Sequence, residues 1–202
     1  MVKALDINYL TDTAYVLKTE KPFDFKPGQF ANVGVDGIMR ELTIYNSPKD
    51  NHLEFLIKVI SKGILSNKLP QYVNKDIVVT GPDGHFIMSD KDLNKEHVFV
   101  GTGVGIAPFH SFVKSFDLNY KMIHGVRFAY ENYHEDDYEK GKYFLCCSRD
   151  KFPQRVTDFI QKEDSNPEAI YWLCGNSDMI NDASEILEDR IPLGNIKSEV
   201  FF

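Results

Sequence analysis

The sequence predicts two successive folds: a six-stranded antiparallel β-barrel over residues 1–92, then a doubly wound parallel α/β domain over residues 93–202. Three observations carry this. Up to about Val79 the chain reads as short strand-like runs punctuated by turn residues. Past the polar stretch Ser89–Glu96, SDKDLNKE, strand-like and helix-like segments alternate, as in a parallel sheet with helical crossovers. At that change lies His97–Val113, HVFVGTGVGIAPFHSFV, an apolar strand that breaks into glycines and resumes after a proline suited to a first helical turn.

In the first half, Ala14–Thr19 and Gly28–Val35 are rich in β-formers, with Pro27-Gly28 as the turn before the second. His52–Ile60, HLEFLIKVI, puts Leu53, Phe55, Ile57 and Val59 on one face, while Glu54 and Lys58 share the other with Leu56 and Ile60. Asn46–Asn51, NSPKDN, is turn chemistry. Short strands so spaced suit a small barrel. Arg40 interrupts an otherwise apolar strand in Met39–Ser47, MRELTIYNS. Alone, it reads first as a surface residue or salt-bridge partner and second as a ligand. Lys62–Leu69, KGILSNKL, is a glycine followed by a short helix-like stretch with Ser66 near its start, read first as a plain connection.

In the second half, strands are expected at Val98–Val100, Lys121–Val126, Lys142–Ser148, Ala169–Cys174 and Ile196–Phe202. Helices fit Pro108–Phe116, Gln154–Lys162 and Asp178–Asp189, and the acidic ENYHEDDYEK reads as a solvated loop. Gly101, Gly103 and Gly105 with Thr102, ahead of Pro108, make a strand–glycine-loop–helix junction. There backbone N–H groups and the helix dipole can meet an anion. The loop fits neither G-x-G-x-x-G nor the P-loop, so a tight turn without ligand is an equal reading. In a doubly wound sheet ligands sit beyond the strand C-termini. Arg127, Ser148, Arg149, Arg155 and Cys174-Gly175-Asn176 all follow such ends. Each arginine alone could pair with a carboxylate; gathered at one edge, they suit a doubly charged group such as phosphate.

Composition narrows the classes. At 202 residues and 43% hydrophobic, the chain is long enough for one large domain or two small ones. No signal peptide and no membrane span is expected. Cys146, Cys147 and Cys174 lack metal spacing and fit a reducing cytoplasm, and no metal site is expected. A net charge of −7 disfavours non-specific nucleic-acid binding.

These pieces together resemble the ferredoxin–NADP reductase family, from about Lys26 to Phe202 and in the family's order. Arg40-Glu41-Leu42-Thr43 is similar to the R-x-Y-S/T flavin motif, and Gly63-Ile64-Leu65-Ser66 with Leu69 to G-x-x-S-x-x-L. Gly81-Pro82-Asp83-Gly84-His85-Phe86 resembles the turn that closes the barrel. Gly101–Pro108 is similar to the G-T-G-x-x-P pyrophosphate loop, and Cys174-Gly175-Asn176 with Met179 to C-G-N/P-x-x-M. Tyr45-Asn46-Ser47-Pro48, His124-Gly125-Val126-Arg127, Ser148-Arg149 and the ending Glu199-Val200-Phe201-Phe202 resemble the bacterial branch.

The resemblance implies FAD rather than FMN, NADPH as hydride donor, and ferredoxin or flavodoxin as one-electron partner, in a cytoplasmic monomer. It implies that Arg40 and the backbone near Gly63–Ser66 meet the flavin pyrophosphate and that Thr43 lies near flavin N5. Leu42 would cover one ring face and Phe201 or Phe202 the other, the aromatic moving aside for the nicotinamide. Ser148, Arg149, Arg155 and Arg127 would bind the 2′-phosphate. Cys174 and Glu199 would shape the nicotinamide pocket. Leu42 departs from the family's stacking tyrosine, which is expected to loosen the flavin or shift its potential. Two rival readings stand: a reductase component of an oxygenase or free-flavin reductase, and a non-catalytic flavoprotein electron-transfer module.

Overall fold

The computed structural model describes residues 1–201, so the expectation for Phe202 lies outside the described residues. The chain forms two compact units. One is Met1–Met88 together with His110–Ser115; the other takes Ser89–Phe109 and continues from Phe116.

The first unit holds β1 (Val2–Thr11), β2 (Ala14–Glu20), β3 (Phe30–Val35), β4 (Ile38–Thr43), β5 (His52–Lys58), the short helix α1 (Ile64–Lys68) and β6 (Asp76–Asp83). The strands form one antiparallel sheet in the order β4-β3-β6-β1-β2-β5. Its edges meet: just past β4, Tyr45 donates its N–H to the Glu54 carbonyl of β5 at 2.8 Å, closing the sheet as expected of a barrel. The β3–β4 hairpin turns on Asp36-Gly37, both at positive φ (52° and 76°), a two-residue turn whose twist matches its strands.

Tyr15, Leu17, Val33, Phe55, Leu69 and Ile77 fill the barrel interior. Burying each such side chain stabilises by roughly 1.5–3 kcal/mol. An exposed ion pair such as Lys3–Asp76, at 3.8 Å, adds about 0–1 kcal/mol. The interior holds the barrel.

The second unit runs through β7 (Glu96–Thr102), the start of helix α2 (Ala107–Ser115), β8 (Asn119–Val126), β9 (Tyr143–Cys147), α3 (Val156–Lys162), β10 (Ile170–Gly175), α4 (Ser177–Glu188) and β11 (Ile196–Val200). All strand pairs are parallel, in the order β11-β10-β7-β8-β9. The chain winds outward from β7 to β9, then returns to the other side of β7. That reversal sets a switch point between the C-terminal ends of β7 and β10, where such sheets bind ligands. Val98, Val100, Ile123, Tyr171 and Leu173 pack one sheet face against α3 and α4.

The acidic segment corrects its reading as a solvated loop: Glu131, Tyr133 and Tyr138 are buried. No helix spans the β8–β9 crossover, and tyrosines cover the sheet instead. Tyr138 packs on Tyr143 and Tyr120, with ring centroids 5.0 and 6.5 Å apart. No helix of the described residues is long and apolar enough to cross a membrane.

Candidate functional site

In the first unit, β4 presents the Arg40–Thr43 stretch and α1 packs against it. Arg40 and Leu42, two residues apart in a strand, share one face, and Thr43 takes the other. Arg40 and Glu41 are exposed; Arg40 Nη1 donates to the Met39 carbonyl at 2.7 Å. Among the described residues no carboxylate pairs with the Arg40 guanidinium. Leu42 is half-buried against the barrel core and Thr43 is buried.

Gly63 caps α1 without a side-chain bond, so the helix's leading N–H groups have no such partner. Ile64 is exposed and Leu65 buried. Ser66 is buried and pinned twice: its carbonyl accepts the Tyr15 hydroxyl at 2.8 Å and its Oγ accepts the Ile60 N–H at 3.4 Å. A Cβ on Gly63 would lie 2.8 Å from Ser66 Oγ, so glycine lets the turn close onto the serine. Tyr45 is fully buried, its ring stacked on His110 at 3.8 Å and 8°, its carbonyl 2.9 Å from His110 Nδ1. Ser111 Oγ donates to the Asn46 carbonyl at 2.7 Å. His110 and Ser111 thus brace the segment after β4, a role sequence reasoning did not assign.

In the second unit, a 3-10 turn over Gly103–Ile106 crosses the switch point. A Cβ on Gly105 would come within 2.6 Å of the Cys174 carbonyl and 2.7 Å of Gly175 Cα, so only glycine lets the loop pass over β10. Gly175 has φ 132°, and a Cβ there would sit 2.2 Å from Thr102 Oγ1. Thr102 Oγ1 accepts the Asn176 N–H at 3.1 Å, tying the two strand ends together. Gly101 is buried on β7, and Pro108 lies in the first turn of α2. Gly105→Ala is expected to cost about 1–3 kcal/mol, as for overpacking. Gly103→Ala, at φ 55° with nothing within 4 Å of its Cβ, is expected to cost only the backbone penalty of roughly 1–2 kcal/mol. Thermal unfolding of both variants checks the order; a Gly105→Ala protein as stable as wild type would overturn it.

Three arginines follow the C-terminal ends of β8 and β9. Ser148 N–H donates to the Val126 carbonyl and Arg149 N–H to the Arg127 carbonyl, each at 2.9 Å, so the ladder runs on and sets Arg149 beside Arg127. The Gln154 N–H returns to the Cys147 carbonyl at 2.8 Å, and Val156 abuts Gly125, which brings Arg155 to the same end. Arg127, Ser148, Arg149 and Arg155 are all exposed. Among the described residues none of the three arginines has a carboxylate partner. Glu131 lies below them, its Oε2 accepting the N–H groups of Arg127 and Phe128 at 3.0 and 3.2 Å. Sequence reasoning placed it in solvent; its one signal was the turn of β8 into the acidic stretch.

The remaining expected residues stand on or just beside β10, α4 and β11. Cys174 is fully buried, in register with Gly101 of β7 and Glu199 of β11. Burial, and then the Glu199 carboxylate, push its thiol well above the usual range, so it stays protonated. Met179 is a core residue of α4. Asn176 caps α4 by accepting the Asp178 and Met179 N–H groups. Phe201 is half-buried and its N–H donates to the Gly175 carbonyl at 2.9 Å, extending the β11 ladder.

Residues 11–88 match the family model of the oxidoreductase FAD-binding domain. The chain is 27% identical to a ferredoxin–NADP reductase of Azotobacter vinelandii, over 92% of this chain and 88% of that protein. It is also 27% identical to the reductase component of propane 2-monooxygenase from Mycolicibacterium goodii, over 92% of this chain and 63% of that one. A ferredoxin NADP+ reductase from Neisseria gonorrhoeae, solved with bound FAD and NADP, shares the fold at a TM-score of 0.83, with 23% identity over 100% of this chain and 98% of that one.

Proposed function

From a chain that has the ferredoxin–NADP reductase fold and is related over most of its length to bacterial members of that family, we infer a flavoenzyme that passes electrons between NADPH and a carrier such as ferredoxin. The observation that carries the nucleotide choice is the set of three arginines following the ends of β8 and β9, none with a carboxylate partner among the described residues. An NADH site would more naturally hold an acidic residue near the ribose.

The residues present fit FAD. Arg40, exposed and without a carboxylate partner among the described residues, and the start of α1, which has no side-chain cap, offer donors to a pyrophosphate, and Leu42 offers an apolar surface to a ring. Bound FAD would accept hydride and release electrons one at a time. The chain's own groups would hold and orient. Arg40 and the Gly63–Ser66 backbone would bind the flavin pyrophosphate, and Thr43 would offer its hydroxyl to the ring. The Gly101–Gly105 loop would take the nucleotide pyrophosphate, while Arg127, Ser148, Arg149 and Arg155 would grip the 2′-phosphate. The protonated Cys174 would shape its surroundings rather than attack. Three free thiols suit a reducing cytoplasm.

The test is the visible spectrum of the flavin-loaded protein under argon as NADPH or NADH is added. Fast bleaching by NADPH and slow bleaching by NADH is expected; no bleaching by either would overturn the assignment. The likeness to the propane monooxygenase component supports a second reading, in which the acceptor is an oxygenase partner. Reduction of ferredoxin by the NADPH-reduced protein separates the two.

A further inference from the structure

His124 stands on β8 between the glycine loop and β9 and is fully buried. Its Nε2 lies 2.9 Å from the Gly103 carbonyl and its Nδ1 2.6 Å from the Tyr143 hydroxyl. A carbonyl only accepts, so Nε2 carries the proton, and Nδ1 accepts the Tyr143 hydroxyl. Burial pushes the imidazole down to about 4, so the ring is neutral and this tautomer holds at physiological pH. Tyr133 and Tyr143 flank it, with ring centroids 5.8 and 5.9 Å away, and leave the ring little freedom to rotate.

Gly103 needs that anchor. It sits at φ 55° with no atom within 4 Å of where a Cβ would be, so side-chain packing does not set its position. It also opens the 3-10 turn whose leading N–H groups have no partner within the turn. We propose that His124, oriented by Tyr143, is the positioning residue of this loop, fixing the Gly103 carbonyl so that the loop's N–H groups are set for a pyrophosphate. This rests on reading the loop as the nucleotide site.

The test titrates NADP+ and adenosine 2′-monophosphate, which has the 2′-phosphate but no pyrophosphate, into the flavin-loaded protein. His124→Phe keeps the ring volume and removes the donor; losing one net hydrogen bond of about 1 kcal/mol predicts a roughly fivefold higher Kd for NADP+. Binding of adenosine 2′-monophosphate should not change. His124→Gln, which can donate to Gly103 and accept from Tyr143, should restore most of the affinity. Equal binding by wild type and His124→Phe overturns the proposal. So does a matched loss of both ligands, which marks a merely structural role, or a Gln variant as weak as Phe. Wild type that binds adenosine 2′-monophosphate but not NADP+ would instead overturn the loop reading, and this proposal with it. Should the Phe variant not fold, imidazole nitrogen NMR of the wild type decides: an Nε2–H tautomer whose signals shift when NADP+ binds is expected. An Nδ1–H tautomer, or signals indifferent to NADP+, overturns it.

Discussion

Replacing Arg149 and Arg155 together with alanine is expected to lower kcat/KM for NADPH by about a hundred- to a thousandfold while leaving NADH nearly unaffected. Each charge-assisted bond to a phosphate contributes roughly 1.5–3 kcal/mol, and 1.4 kcal/mol is a factor of ten. Two such losses span about 3–6 kcal/mol, roughly a hundredfold to over ten-thousandfold, and the neighbouring Arg127 holds the effect to the lower part of that span. The backbone argues that the effect stays local. Both side chains are exposed, the Arg149 N–H bond to the Arg127 carbonyl survives the substitution, and so does the Arg155 N–H bond to Asp158 Oδ2 at 2.8 Å. Steady-state kinetics with both nucleotides at one fixed ionic strength checks it, since exposed charges are screened by salt. Equal losses for NADPH and NADH would remove these residues from the 2′-phosphate.

What sequence could show follows from periodicity and backbone need. Several strands were readable as apolar runs broken by turn residues, as Val98–Val100 is by Gly101 and Ala169–Cys174 by Gly175, whereas β1 was not singled out. That the second sheet is parallel followed from the alternation of strands and helices, whereas its strand order, with the reversal at β7, came only from the fold. The switch-point glycines were readable as a loop, but the reason for Gly105 was not: its neighbour is the Cys174 carbonyl, far along the chain. Glu131 and the tyrosines of the acidic stretch were misread for a related reason. Charge density predicts solvent, whereas the missing crossover helix left a sheet face that Tyr133 and Tyr138 cover. His110 carried no local signal and His124 only a motif resemblance that said nothing of its role, since a histidine's partners here are carbonyls and hydroxyls set by tertiary folding. Leu42 is the opposite case. Its departure from the family's tyrosine was plain in sequence, and the structure adds that it leans on the barrel core.

Arg40→Ala is expected to raise the dissociation constant for FAD about ten- to a hundredfold, the range for one charge-assisted contact to a pyrophosphate. Stability should hardly change. The side chain is exposed and its one hydrogen bond goes to the carbonyl of the preceding residue, so the barrel loses no distant contact. Its backbone stays in register with Val33 of β3 whatever the side chain. Flavin fluorescence, quenched on binding and recovered on release, reads the loss directly, and a melting curve of the flavin-free protein supplies the control. Arg40→Lys separates charge from geometry. A lysine keeps the point charge but not the planar fork, so a lysine variant recovering only part of the affinity means paired donation to phosphate oxygens. Full recovery would mean that Arg40 acts as a charge alone. FAD binding indifferent to both substitutions would take Arg40 out of the flavin site and leave α1 and Leu42 as its only support.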